Sequence, residues 1–251
     1  MPVGLDWLII LPAVRVFLEG GNPYQLGEQN VLFPFWTFIA LVPFAVLPYW
    51  IGRVLLFIVS LIAFAFTANK LGATRLQFIL FLSSSAVIGC LNNGNLDWLV
   101  TLGFWMPPQM ALFFVLMKPQ IGLPVAIYWL YIFWRHAGWL EAVKVFAPVT
   151  GAYLLSFIMY GFWPIQMLWM SKNPENMSAF PFSVLPGLVL VYLSVRRNET
   201  NLSMFSGPLL APYASQFSYS ASLLALLYRP KLFILAWVLL WIPVLVRFYV
   251  P

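Results

Sequence analysis

An all-α polytopic membrane bundle is the fold class this sequence predicts, and three observations predict it. Hydrophobic residues make up 63% of the 251 residues and charged residues only 8%, against roughly 25% charged in an ordinary soluble domain. A water-soluble fold of this length has too little interior to hide so much apolar surface. The apolar residues also fall into repeated stretches separated by Pro, Gly and Asn, and the 12 Trp and 11 Tyr suit belts at a membrane–water interface.

The same composition excludes several classes of function. One cysteine, Cys90, leaves no internal disulfide and no multi-cysteine metal site, and one histidine, His136, leaves no histidine cluster, so no metal or redox cofactor is expected. The net charge of +6 is spread thinly, without the basic stripe of a nucleic-acid partner. Neither a P-loop nor a Ser-His-Asp set stands in the chain, and Met1-Pro2-Val3-Gly4 does not read as the start of a cleavable signal peptide.

In order, residues 5–24 read as a helix lying along the membrane surface and leading into a first external loop. The helix is expected to be kinked at Pro12 and is stopped by Gly20-Gly21-Asn22-Pro23. A single bundle domain follows over 33–249. Its apolar stretches are 33–48, broken by Pro43, then 50–68, 76–91 and 96–106, and then 109–133 with Lys118-Pro119-Gln120 at its centre. A polar turn is expected over 134–144, a span over 145–162 and a long polar loop over 164–180. The chain closes with 182–195, an Arg196-Arg197 stop, 203–228 and 232–249. That makes eight or nine membrane segments, several of only 11–16 residues. At about 1.5 Å per residue such short pieces do not cross an apolar core of about 30 Å. They are tolerated at membrane depth only inside protein or beside a cavity. The expectation is a water-filled cleft lined by Asn92, Asn93, Asn95, Asp97, Lys118 and Gln120. Basic residues divide almost evenly between alternate loops, with Arg196-Arg197 and Arg135 with Lys144 the best cytoplasmic anchors.

Few groups here can carry chemistry. Asp6 sits in an apolar stretch, either as a solvated interfacial residue or as a general base. Lys118 at membrane depth costs about 2.5–3.5 kcal/mol unless it meets water or a partner. It either pairs with a carboxylate such as Asp97 or holds a phosphate. Asp97 after Asn-Asn-Gly-Asn reads first as a helix cap. In 211–220, Tyr213, Ser215, Gln216 and Ser218 either line a cleft wall or bond to neighbouring helices.

These residues stand in an order that resembles a known family. Asp6, Arg15 and then Gly20-Gly21-Asn22-Pro23-Tyr24 match an Asp, a mid-helix Arg and a Gly-Gly-x-Pro-Tyr element. Phe33-Pro34-Phe35 stands where a Tyr-Pro-Pro element follows, Gly94-Asn95-Leu96-Asp97 where a Gly-Gln-x-Asn element follows, and Lys118-Pro119 where an apolar stretch ends in Lys-Pro. In this order the chain resembles the polyprenyl-phosphate-sugar-dependent glycosyltransferases of the GT-C superfamily, in particular glycosyltransferase family 87, over residues 5–135. The resemblance implies a mannosyltransferase-type reaction at the non-cytoplasmic face of the cytoplasmic membrane. Asp6 would be the general base, and Arg15, Tyr24, Asn95, Asp97, Lys118 and Gln120 would bind the donor phosphate or substrate. The donor would be a lipid-linked sugar rather than a cofactor, and the partners would be membrane lipids and polyprenyl phosphate. Several departures stand against it: five residues precede Asp6, the chain is short for the family, Ala211-Pro212-Tyr213-Ala214-Ser215-Gln216-Phe217 has no histidine, and Phe35 and Asn95 replace the second proline of Tyr-Pro-Pro and the Gln of Gly-Gln-x-Asn. They suit an alternative reading, a catalytically inactive subunit of a larger membrane complex.

Overall fold

The structure, a computed structural model, describes residues 4–26, 31, 33–166 and 175–249. Among the described residues there are thirteen α-helices, three short 3₁₀ turns and no strand, so the all-helical expectation holds.

The first helix, α1 (Leu5–Leu18), runs through Pro12 without interruption. Pro12 lies on the exposed face, where the carbonyl it leaves unbonded can meet solvent. Beside α1 lies α2 (Phe35–Ala45), and α3 (Tyr49–Lys70) then runs 22 residues, about 33 Å. The stretch 76–91 is two helices, α4 (Arg75–Leu82) and α5 (Ser85–Asn93), bent by 46°. Serines make the bend: Ser84 Oγ donates to Phe81 O and accepts from Val87 N, ending one helix and capping the next.

The stretch 96–133 is also divided. α6 (Asp97–Leu102) and α7 (Pro108–Val115) make a short hairpin, and α8 (Pro119–Ala137) begins at the proline after Lys118. A residue before proline is pushed out of the helical region, and Lys118 is extended at φ −126°, ψ 90°. The polar turn expected over 134–144 reduces to Gly138, and α9 (Trp139–Tyr160) starts at once. α10 (Val184–Arg197) follows. The stretch 203–228 is two helices, α11 (Thr200–Leu210) and α12 (Tyr219–Ala225), separated by the polar insert, and α13 (Pro230–Tyr249) closes the bundle.

Among the described residues, two helices, α3 and α9, are long and apolar enough to cross a membrane, or three if α4 and α5 count as one bent span. Most of the other expected segments are shorter or divided at Pro, Ser and Asn, while α13 is one undivided helix. Outward faces are apolar, with Ile158 82% and Leu185 73% exposed.

Charge separates by end. Lys70 closes α3 and Arg75 opens α4; Arg135 closes α8 and Lys144 lies in the first turns of α9. Arg196 and Arg197 close α10, and Arg229 and Lys231 flank the start of α13. Tyr128 donates to Asn198 Oδ1 at 2.8 Å and Gln77 Nε2 to Leu227 O at 2.7 Å, tying these helix ends together. Two basic residues at each of four places make eight of the thirteen. The near-even split expected along the sequence becomes a strong bias in space, because the divided stretches return the chain to the same end.

Candidate functional site

The opposite end holds Asp6. There α5 stops at Gly94, whose left-handed backbone (φ +72°) turns the chain so that Asn95 N bonds back to Cys90 O at 3.0 Å. A Cβ on Gly94 would stand 2.9 Å from Trp7 Cβ. Glycine therefore lets α1 lie directly on this turn and brings Asp6 over Asn95.

A chain of side-chain bonds starts from that contact. Asn95 Nδ2 donates to Asp6 Oδ2 at 2.8 Å, and Lys118 Nζ donates to Asn95 Oδ1 at 2.6 Å. Lys118 also forms an ion pair with Asp97. Asp97 N donates to Asn95 Oδ1 at 3.2 Å, and the Lys118 ammonium lies 5.5 Å from the Phe33 ring centre. Asp97 is fully buried, Lys118 and Asn95 are nearly so, and Asp6 is half-buried at the rim. The break before α8 makes this geometry. Gly122 packs so tightly on α7 that a Cβ there would fall 1.9 Å from Val115 O, folding Leu116–Lys118 back toward Asn95.

Burial, before any other cause, holds the Asp6 carboxyl above its usual range. The Asn95 hydrogen bond and then the Lys118 charge pull it down, while Glu175 and Asp97 push it further up. Burial and the charges of Glu175, Asp6 and Asp97 likewise raise the Tyr213 phenol. Glu175 and Tyr213 therefore lie within electrostatic reach of Asp6. They are carried by strands of loop tied together: Met177 N donates to Ala214 O, and Ser178 Oγ donates to Ala211 O.

Four of the residues singled out by sequence (Asp6, Asn95, Asp97 and Lys118) are thus brought together, and three are not. Arg15 is nine residues beyond Asp6, two and a half turns, so it points to the opposite face of α1 and is exposed. Tyr24 is a buried anchor past the far end of α1: its hydroxyl donates to Phe33 O at 2.6 Å and its ring stacks on Trp163 at 5.2 Å. Gln120 lies one residue past Pro119 on the wall of a separate, mostly apolar cavity of about 210 Å³.

Asn95, Asp97 and Lys118 do not line a wet cleft as expected. They are packed and bonded to one another, while Asn92 is exposed. Asp97 does not cap a helix with its side chain, because it is the first residue of α6 and its carboxylate is turned to Lys118. Gln216 bonds to neighbouring helices, donating to Ser85 Oγ at 2.6 Å and Leu240 O at 3.0 Å.

Arg53 is the residue that sequence reasoning passed over. Its Nη2 donates to Asn92 O at 2.9 Å, and its guanidinium lies so close to Gly4 that a Cβ there would be 2.9 Å from Cζ. An arginine in the first turns of an otherwise apolar 22-residue helix was the available signal. The chain matches no protein-family profile, no curated protein and no solved structure.

Proposed function

We propose that this chain is an integral membrane transferase that moves a mannose-like sugar from a polyprenyl phosphate to a hydroxyl of a lipid or glycan acceptor. The reaction belongs to the end away from the gathered basic residues, the non-cytoplasmic face of the cytoplasmic membrane by the positive-inside rule. The observation that carries the reading is the half-buried Asp6 carboxylate, held by Asn95 at 2.8 Å. A carboxylate raised by burial is a better base than a free one.

Asp6 Oδ2 is occupied by Asn95, which leaves Oδ1 to take the acceptor proton. The acceptor oxygen then bonds to the anomeric carbon, the bond from that carbon to the phosphate oxygen breaks, and the polyprenyl phosphate leaves with the electron pair, inverting the carbon. Lys118 acts here as a positioning residue: held by Asp97, it orients Asn95, and Asn95 orients Asp6. Arg53, at the same turn, is the cation this reading assigns to the leaving phosphate.

One observation favours the alternative, a non-catalytic subunit of a membrane complex. The Lys118 ammonium is buried and already paired, so the cation that the resemblance assigns to phosphate is spent on structure. Sugar transfer from a labelled polyprenyl-phosphate donor in reconstituted vesicles separates the two. Turnover that Asp6→Asn abolishes supports the transferase. Equal turnover in the two proteins removes Asp6 as base, and a stoichiometric set of companion proteins with no turnover supports the subunit.

A further inference from the structure

The end where the basic residues gather holds a cavity of about 800 Å³, within the range of small-ligand sites, between the ends of α3 and α10, the starts of α11 and α13, Trp129 of α8 and the α6–α7 tip. Its lining is mixed: Phe104, Met204, Leu232, Trp105 and Trp129 are apolar or aromatic, and Asn198, Glu199, Asn201 and Arg229 are polar or charged.

Glu199 and Arg229 are opposite charges on one cavity, yet neither forms an ion pair with the other or with any other described residue. Glu199 also makes no side-chain cap at the start of α11, where it is the N-cap residue, so its carboxylate is not engaged by the helix it precedes. The buried Trp105 Nε1 has no partner among the described residues. Cation, carboxylate and amides thus line one cavity together with apolar residues, at the end of the bundle where the basic helix ends gather.

We propose that this cavity binds a phospholipid carrying a primary ammonium, a phosphoethanolamine headgroup. Arg229 takes the phosphodiester oxygens. Glu199 takes the ammonium, with the Asn198 and Asn201 side chains as further polar partners. The apolar lining residues take the first carbons of the acyl chains. A purely anionic headgroup meets Glu199 as a repulsive charge, and a quaternary ammonium has no N–H to donate to it. The site is separate from Asp6 and does not depend on the transfer reaction.

The test is lipid retention by the purified full-length chain in mild detergent, counted by native mass spectrometry with dioleoyl-phosphatidylethanolamine, -phosphatidylglycerol and -phosphatidylcholine as probes. One phosphatidylethanolamine is expected to be retained over the other two. Glu199→Gln is expected to reduce that preference about tenfold, and Arg229→Gln to weaken all three lipids by a similar factor. Lys231→Gln, which removes a neighbouring charge that does not line the cavity, is expected to change nothing. Equal retention of the three lipids by the unaltered protein overturns the proposal. So does a preference for phosphatidylglycerol, or a preference for phosphatidylethanolamine that Glu199→Gln leaves intact.

Discussion

The two ends of this bundle handle charge in opposite ways. At one end, Asp6, Asn95, Lys118 and Asp97 are linked in series and largely buried. At the other, basic side chains stand at helix ends, and among the described residues only Lys144 has an ion-pair partner, the exposed Glu141 at 2.5 Å. The difference teaches where pairing is obligatory. A charge inside protein must be matched because its desolvation is large. A charge at a helix end in water needs no partner, and a partner adds little.

The largest expected effect tests that contrast directly. Lys118→Met leaves Asp97 buried without its cation and is expected to cost about 3–5 kcal/mol of stability, read from detergent-solubilised unfolding curves. Adding Asp97→Asn to Lys118→Met is expected to recover part of the loss. A loss below about 1 kcal/mol in the single variant would place this pair with surface pairs and break the comparison.

Gly94→Ala comes next. It forces a side chain onto a φ of +72° and against Trp7, with an expected cost of about 1–3 kcal/mol. Because α1 rests on this turn, transfer activity should fall with it, whereas Gly138→Ala, also at positive φ but in open space, should spare activity.

Asp6→Asn should separate function from stability. The folded state raises the Asp6 pKa, so it favours the protonated form. The associated stability is fully present below the unfolded value near 3.8 and is lost as pH rises through the folded value. The unaltered protein should therefore lose stability over that rise, and Asp6→Asn should not. At pH 7 the variant should be as stable as the parent or more so, yet inactive. The parent's transfer rate should increase with pH across the same window. A rate that is flat there, with Asp6→Asn active, would detach Asp6 from the chemistry.

The smallest effect belongs to the open end. Lys144→Ala removes an exposed pair and should change stability by less than about 0.5 kcal/mol, measured in the same unfolding assay.

Several features were legible in the sequence because local chemistry alone decides them. Pro119 ends helical geometry at Lys118 wherever the chain is placed, and Gly94 after two asparagines marks a helix stop. The possible pairing of Lys118 with Asp97 was legible too, since a buried ammonium needs a carboxylate and few were on offer. Other features were not. Arg15 looked like a companion of Asp6 along the sequence, but two and a half helical turns set it on the other face. The loops that carry Glu175 and Tyr213 are tied to each other far along the chain, a contact that no spacing encodes.

Composition and breaker residues by themselves determined that the chain is helical, apolar on its outside and interrupted at particular points, because backbone geometry and transfer free energy act residue by residue. Only the tertiary structure decided which polar groups meet. The Asp6–Asn95–Lys118–Asp97 series joins three helices and a turn, and the gathering of eight basic residues at one end requires knowing which short segments turn back. Both depend on contacts between residues distant in sequence, where packing rather than local preference sets the outcome.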